Sequence, residues 1–267
     1  MSVQTLYTAA TGMSALETKL DVIANNLANV NTTAFKKGRA NFEDLFYRHE
    51  ALPGAEDSAG NKAATGISVG LGTRVSSVQT NFQQGASQQT GNPLDVSIEG
   101  PGFFQVLDSD GVEVYTRSGN FSRNANGVLV LGSATTGRVL QPEIELPPDA
   151  GNIAIQADGQ VLVTQPGSGT PVQIGQLQIA NFVNPEGLLK KGENLFQETD
   201  ASGPVTLGTP GETGLGVLKQ SSLEASNVEP VQELIDLITT QRSFELNSQA
   251  VQAGDQILQL ISNLRRF

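Results

Sequence analysis

The chain has 267 residues, a formal net charge of −11, 29 glycines, no cysteine and a single histidine, His49. The acidic balance argues against a nucleic-acid-binding protein and against a basic helix on a membrane surface, because both need clustered Lys and Arg. The absence of cysteine excludes disulfides and thiolate metal sites, and one histidine cannot form a His-rich metal site. We therefore expect no metal, no cofactor and no nucleic-acid partner.

The hydropathy and the first residues bear on location. The longest apolar runs are far shorter than the roughly 20 residues that span a bilayer, so we expect no membrane insertion. The first cation of the chain is Lys19, so the start lacks the basic region of a cleaved signal peptide. The sequence thus predicts a protein that stays in the cytosol or leaves by a route without a cleaved signal.

Residues 1–35 are predicted to form a long N-terminal helix. Apolar side chains follow one another at alternating steps of three and four, which is the a and d pattern of a heptad seam. The members of this seam are Leu6, Ala9, Met13, Leu16, Leu20, Ile23, Leu27 and Val30. The only charges up to Phe35 are Glu17, Lys19 and Asp21, and the other polar positions are Thr, Ser, Gln and Asn. Such a neutral polar surface favours packing against neighbouring helices or around a water-filled bore.

Residues 226–267 are predicted to form a second long helix. Ser226 and Asn227 are expected to cap its N-terminus, and Pro230 is tolerated in the first turn. Apolar residues again form a seam, mostly at a spacing of seven: Leu237, Phe244, Val251, Leu258 and Ile261.

Between the helices the hydrophobic period changes from 3.6 to 2, which predicts an antiparallel β-rich domain over residues 90–205. The alternating segments are Leu94–Ile98, Phe103–Leu107, Val112–Thr116, Val128–Leu131, Ile153–Ile155, Val161–Val163 and Pro171–Ala180. Residues 36–89 are predicted as a connector or collar, and residues 206–225 as the return connector.

We therefore predict an α+β fold in which the N- and C-terminal helices pack together as a coiled coil, with the antiparallel β-rich domain inserted between them. A two-helix layer buries only part of both seams, and each buried Leu or Ile contributes roughly 1.5–3 kcal/mol. Identical neighbours can cover the remainder, and a head-to-tail contact that does not close into a ring produces a helical filament. From the periodicity alone, a discrete dimer or a four-helix bundle is equally compatible.

Three blocks of sequence, in the same order, resemble those of the flagellar rod and hook family. Asp21–Lys36 is similar to its N-terminal signature. Its central β domain is similar to Gly100–Val106, Tyr115–Phe121 and Asn126–Val130, and its C-terminal block to Leu223–Val228, Gln241–Asn247 and Gly254–Leu258. The residues that carry the resemblance are Asn25, Asn26, Leu27, Asn29, Phe35, Lys36, Gly102, Phe103, Phe104, Ser226, Asn227, Gln241 and Arg242.

The resemblance implies a structural axial subunit of the bacterial flagellum and no enzyme. Within the family, the length and the segment Asn41–Tyr47 indicate a subunit of the distal rod, and residues 47–73 correspond to a rod-specific stretch associated with a straight, stiff tube. The implied polymer is a hollow, rigid shaft in the basal body that spans the periplasm and serves as drive shaft and export channel. Its helices would form the inner tube, its connectors a collar and its β domain the outer wall.

The implied partners are further copies of the chain in a helical homopolymer, the proximal rod and hook subunits, the bushing made by the peptidoglycan and outer-membrane rings, and the flagellar export apparatus with the rod cap. The alternatives are another axial subunit, a secreted dimeric adhesin-like protein or a cell-wall hydrolase. One departure from the family is Ala34, where many members have glycine. If this position needs a positive φ, alanine is strained there.

Residues that superficially suggest chemistry have simpler interpretations. Gly66–Gly72 and Gly100–Gly102 lack the strand, helix and Lys-Ser/Thr ending of a phosphate-binding loop. Asp108–Gly111 lacks the third acidic ligand and the closing Glu of a calcium loop and is predicted to be a hairpin turn. Lys36, Lys37 and Arg39, which follow the first helix, are expected either to bind acidic neighbours or to be solvated opposite the negative end of the helix dipole. We predict no catalytic residue.

Overall fold

The computed structural model of the protein describes residues 3–54, 64–132, 137–165 and 170–264. The chain divides into two compact units, which are described separately. Residues 1–28, 38–80 and 229–267 form the helical unit, and residues 29–37 and 81–228 form the β unit. With two long helices and a mostly antiparallel body, the chain has the mixed α+β fold that the sequence predicts.

In the helical unit the two helices pack against each other, and the first also packs against a pair of antiparallel strands. The elements are α1 Val3–Ala28, β1 Gly38–Asp44, β2 Tyr47–Ala51, β3 Ile67–Gly70, β4 Thr73–Thr80 and α2 Pro230–Leu264. Strand β1 pairs with β4, and β2 pairs with β3. Backbone hydrogen bonds from Leu45 to Gly72 and from Leu71 to Phe46 join the two pairs into one ribbon.

Both helix ends differ from the sequence prediction. Helix α1 ends at Ala28, so Val30 lies beyond it, where the chain turns with a hydrogen bond from Thr32 N to Asn29 O. Asparagine favours such turns because its side chain competes for backbone groups. Helix α2 begins at Pro230, so the predicted cap at Ser226 and Asn227 is wrong. The expectation that Pro230 is tolerated in the first turn is confirmed.

The β unit is built from short strands around two apolar clusters. Its strands are β5 Ser87–Gln89, β6 Val96–Glu99, β7 Phe103–Leu107, β8 Glu113–Thr116, β9 Phe121–Arg123, β10 Leu129–Leu131, β11 Val139–Gln141, β12 Asn152–Ile155, β13 Gln160–Thr164, β14 Val172–Gln176, β15 Ile179–Asn181, β16 Leu189–Gly192, β17 Leu195–Gln197, β18 Thr206–Gly208, β19 Val217–Gln220 and β20 Ser222–Glu224. The described part of the predicted connector, residues 36–89, therefore contains strands β1–β5.

The main sheet of the β unit has the strand order β16-β17-β8-β7-β11-β10-β9, and β15 pairs with both β7 and β18. Strands β12, β13 and β14 form a separate three-stranded sheet. Strand β19 pairs with β6, and β20 pairs with β5, so residues 217–224 lie beside the segment that leads into the sheet. The larger cluster of buried side chains, including Val96, Phe104 and Leu218, lies between these sheets and strands.

Neither α1 nor α2, the long helices of the described ranges, combines the length and the apolarity that crossing a membrane would require.

Candidate functional site

Segment 33–37 of the β unit is fixed by amide groups from distant parts of the same unit. Asn227 donates its backbone N–H to the carbonyl of Phe35 and accepts the N–H of Lys37 on its side-chain oxygen, at 3.3 and 2.8 Å. The side-chain amide of Asn227 also donates to the carbonyl of Asn81 at 2.9 Å. Asn227 therefore connects segment 33–37 to Asn81 and to the residues just before α2. These hydrogen bonds hold Asn227 outside the helix.

A second anchor of this segment is Asn194, in the tight turn between β16 and β17. Its side-chain amide donates to the carbonyl of Thr33 at 2.9 Å, and its own carbonyl accepts the hydroxyl of Thr116 at 2.9 Å. Glu193 and Asn194 both have positive φ, 53° and 60°. Asparagine tolerates this left-handed conformation better than most residues, so the turn can present its amide to the segment.

Beside segment 33–37 lies a buried carboxylate that is shared by two cations. We call this carboxylate, its two cations and the anchored segment the junction of the β unit. Glu224 accepts from the ammonium of Lys36 at 2.6 Å and from the guanidinium of Arg117 at 2.8 Å. It also accepts the backbone N–H of Gly85 at 2.8 Å. The side chains of Lys36 and Glu224 are 0% and 1% exposed, and that of Arg117 is 4% exposed. Of the two interpretations of Lys36, binding to an acidic neighbour is confirmed.

Glu224, Lys36 and Arg117 form a buried triad with a net positive charge, because one anion pairs with two cations. Burial alone would raise the pKa of Glu224, but Arg117 and Lys36 outweigh that effect and hold the pKa below its ordinary value. Burial lowers the pKa of Lys36, and the attraction of Glu224 opposes this only in part, since Arg117 repels the ammonium. Glu224 is thus strongly held as an anion, whereas Lys36 is the less well compensated cation.

Two backbone positions of special conformation surround the triad. Ala34 is buried with φ of 58°, and its N–H donates to the carbonyl of Glu224 at 2.8 Å. The strain expected for alanine at a left-handed position is therefore present. Gly102 has φ of 141°, and its carbonyl accepts from Arg117 at 2.8 Å. A Cβ at Gly102 would lie 3.1 Å from the side chain of Ile179, so glycine fits here for two reasons.

Next to the triad, aromatic side chains fill the smaller apolar cluster. Phe103 makes edge contacts with Phe82, Phe182 and Phe196, with ring centroids 5.5 to 5.9 Å apart. Phe104 points into the larger cluster and packs edge-on against Phe121. Two consecutive signature residues on β7 therefore serve the two cores on opposite faces of the strand.

The helical unit has a buried polar junction of its own. The side chain of Asn26 accepts the N–H of Gly38 at 2.9 Å and donates to its carbonyl at 3.0 Å. The same amide donates to the carboxylate of Glu233 at 3.2 Å, and both side chains are buried. Asn26 thereby joins the last turn of α1, the start of β1 and the first turn of α2.

The predicted seam residues are mostly half buried in the single chain. Ile23 is buried, while the others with described side chains are intermediate: Leu6, Ala9, Met13, Leu16, Leu20, Leu27, Val30, Leu237, Phe244, Val251 and Leu258. The side chain of Ile261 lies outside the described residues. Near the middle of α1, Gly12 allows a close approach to α2, because a Cβ there would lie 3.2 Å from the amide of Asn247.

The most exposed apolar side chains of α2 lie on the face opposite its seam. They follow a helical period and are Val231, Leu234, Ile235, Ile238, Leu246 and Leu260, each 46–69% exposed. This exposed apolar face was not singled out from the sequence, although the spacing from Val231 to Ile238 was a visible signal. An apolar face of this length is a candidate interaction surface.

Several signature residues lie nearer the surface. Gln241 and Arg242 are exposed on α2, Asn25 is exposed on α1, and Ser226 is half buried. Conversely, the residues that complete the junctions, Arg117, Asn194, Glu224 and Glu233, were not predicted as site residues. For Arg117 and Glu224 the sequence carried one signal, because both are charged residues within the blocks that resemble the family. Asn194 and Glu233 had no such signal.

The described ranges contain no group of three or more His, Asp or Glu side chains arranged to hold a metal ion. The predicted turn at Asp108–Gly111 is confirmed as the hairpin between β7 and β8. Asp108 forms an ion pair with Arg138 at 3.0 Å, and this guanidinium lowers the pKa of the carboxyl group. His49 is exposed on β2.

Comparison with known proteins shows which family the chain resembles. Three family models match the chain: flagella basal body rod protein over residues 6–36, the flagellar hook protein FlgE/F/G D1 domain over 97–163, and the flagellar basal body rod FlgEFG protein C-terminal over 219–264. The flagellar basal-body rod protein FlgG of Caulobacter vibrioides is 45% identical over 263 residues, which cover 98% of this chain and 99% of the relative. The FlgG proteins of Borreliella burgdorferi and Bacillus subtilis are 42% and 38% identical, and the alignments cover 98% of this chain and 98% and 99% of those proteins.

The chain belongs to the flagellar basal-body rod protein family. It is a structural subunit and not an enzyme. In this rod protein the buried triad draws one residue from each matched segment: Lys36, Arg117 and Glu224. The three sequence blocks of the family therefore meet at one carboxylate.

Proposed function

We propose that this rod protein polymerises helically into the hollow, rigid distal rod of the flagellar basal body, where it serves as drive shaft and export channel. In the polymer, α1 and α2 pack as a coiled coil in the inner tube, residues 36–89 form a collar, and residues 90–205 form the outer wall. Residues 206–225 form the return connector. The relatives named FlgG, at 38–45% identity, favour the distal rod over another axial position; the hook-basal body complex protein FlhP of Bacillus subtilis is 31% identical.

The observation that carries this proposal is the exposed apolar face of α2. Full burial of such a side chain contributes roughly 1.5–3 kcal/mol, and about half of that remains to be gained by each of these six partly exposed residues. A surface of other subunits would supply it. The half-buried seams are covered further in the same way. A contact between unlike surfaces of identical chains propagates into a filament if it does not close.

A subunit of the distal rod would contact other components of the flagellum as well as copies of itself. We propose contacts with proximal rod subunits at one end and hook subunits at the other, and with the bushing of peptidoglycan and outer-membrane rings around the shaft. Delivery through the flagellar export apparatus and assembly under a rod cap would bring the chain to the periplasm. Residues 47–73 are proposed to stiffen the tube; of these, residues 55–63 lie outside the described ranges.

The test is a charge on the exposed apolar face. Ile235 is 53% exposed, so Ile235→Asp should leave the monomer folded but place a carboxylate in the subunit contact. We expect loss of rods in isolated basal bodies and loss of motility. Ser243→Asp, at an exposed polar position of the same helix, should assemble normally. Normal rods built from Ile235→Asp would refute the role of this face.

A further inference from the structure

We propose that Phe46 of one subunit inserts into a notch in the helical unit of a second copy, beside Lys19. This inference deepens the proposed function, on which it rests, by naming a pair of surfaces that meet between copies. The notch is bounded by both helices and by the β1–β4 pair, and its lining residues are Gly12, Ala15, Leu16, Lys19, Phe42, Thr73 and Asn247.

Phe46 has the properties of an anchor. Its side chain is 87% exposed, the highest exposure among the large apolar side chains of the described residues. Its backbone is nevertheless fixed, because its carbonyl accepts the N–H of Leu71 at 3.0 Å and the neighbouring Leu45 donates to Gly72 at 2.9 Å. Because this backbone is already ordered, docking has to fix only the two side-chain torsions of Phe46, which limits the entropy cost. Aromatic side chains are enriched at the buried centres of interfaces.

The notch has room for an aromatic ring. Its volume is about 290 Å³, whereas an apolar cavity of about 150 Å³ is sufficient to hold benzene. Gly12 keeps it open, since a Cβ at this position would lie 3.2 Å from the amide of Asn247. Leu16 and Phe42 supply apolar walls. The chain's own Phe46 does not line the notch, so the space is available to another copy.

Charge favours this pairing and its orientation. Lys19 lines the notch, and the ion pairs among the described residues do not include it. On the docking copy, Asp44 is exposed at the end of β1, two positions before Phe46. Insertion of Phe46 would bring Asp44 towards Lys19 of the second copy. An attractive pair at the rim of an interface selects the register more than it adds affinity.

The contact joins two different surfaces of the same unit, so it is head-to-tail and gives the polymer a direction. It also accounts for an aromatic side chain that would otherwise be held in water by a fixed backbone. The exposed face of α2 takes no part in it, so the two contacts can be tested independently.

Site-specific cross-linking provides the decisive test, because the chain has no cysteine of its own. Phe46→Cys and Leu16→Cys would be co-expressed as separate single variants, and isolated basal bodies would be treated with a short bismaleimide. We expect a linked peptide pair between positions 46 and 16, which must join two copies. Val183→Cys, an 86% exposed position of the β unit, replaces Phe46→Cys as the control and should give no link to position 16.

The outcomes separate the inference from the proposed function. If wild-type chain is present in the rod but positions 46 and 16 do not link, the inference is overturned and the proposed function stands. If the wild-type chain is missing from the rod of isolated basal bodies, the proposed function fails, and the inference fails with it.

A charge-reversal series covers the case in which the cysteine variants do not assemble. Lys19→Glu and Asp44→Lys should each impair motility, and the double variant should restore it, because only a contact between these positions is repaired by exchanging both charges. Phe46→Ala should weaken the subunit contact about 10- to 100-fold, as expected for exposing a buried aromatic side chain, while Val183→Ala should not. Equal defects in both single charge variants without rescue in the double variant would overturn the pairing.

Discussion

Glu224 and Lys36 are 188 positions apart in the sequence, yet their charged groups lie 2.6 Å from each other in a site almost without solvent exposure. Arg117 shares the same carboxylate at 2.8 Å. The three residues come from the three segments that the family models match, so one anion of the C-terminal segment pairs with a cation from each of the other two. Removing that anion should have consequences far larger than those of a surface charge.

Glu224→Gln should strongly destabilise the β unit, since it leaves two buried cations without their counter-ion. Breaking one partner of a buried charge cluster typically costs roughly 3–5 kcal/mol. Chemical denaturation, followed by hydrogen exchange in the β unit, measures the loss. The matched control is Glu99→Gln, whose carboxylate pairs with Lys219 across an exposed surface and should change stability by at most about 1 kcal/mol. Similar losses in both variants would contradict the assignment.

Acidification should destabilise the β unit through the same group. The pKa of Glu224 in the folded chain lies below its ordinary value of 4.5, so its contribution is complete above about pH 4.5 and is lost as the pH falls through the lower, folded pKa. Asp108, whose pKa Arg138 lowers, acts in the same direction. Unfolding free energies measured from pH 6 to pH 3 should therefore fall, and Glu224→Gln should show a shallower slope. An unchanged slope in that variant would exclude Glu224 as a source.

Asn26→Ala should loosen the helical unit. It removes the hydrogen bonds to both backbone groups of Gly38 and to the carboxylate of Glu233, and buried polar groups left without partners cost about 1–3 kcal/mol. We expect faster hydrogen exchange in α1 and β1 and a loss of about 2–3 kcal/mol in the unfolding free energy of the helical unit. Asp21→Ala, at an exposed position of the same helix, is the control. Equal protection in both variants would argue against the junction.

Gly102→Ala should destabilise the β unit by about 1–3 kcal/mol, because alanine is strained at φ of 141° and its methyl group would crowd Ile179. Thermal unfolding followed by near-ultraviolet circular dichroism measures the loss. Gly137→Ala is a suitable comparison, since a Cβ at that position meets no atom within 4 Å. The prediction fails if Gly102→Ala is as stable as Gly137→Ala.

The regular parts of the fold could be predicted from local patterns. The period-2 segments gave β7, β8 and β13 nearly to the residue, because each of these strands has buried side chains that impose alternation or a short apolar run. The two helices followed from their seams. Strands β2 and β3 could not be found in this way, since almost all of their side chains are exposed and no face of the ribbon requires apolar residues.

The junctions could be predicted only in part. The resemblance singled out Asn26, Lys36 and Asn227, but their partners are brought to them by the fold. Asn26 meets Glu233 across 207 positions, and Asn227 meets Lys37 across 190. No local spacing encodes such pairs. The cap predicted at Asn227 shows the same limit, because a side chain suited to capping was recruited by a distant backbone.

The pairing of β20 with β5 and of β19 with β6 brings the outgoing and returning strands of the β unit side by side. Loops between residues 100 and 216 can therefore lengthen, shrink or change in charge without moving the points at which the chain enters and leaves this body. The loops of this unit can therefore be replaced while its first and last strands stay paired. We expect insertions into these loops to leave the pairing of β5, β6, β19 and β20 unchanged.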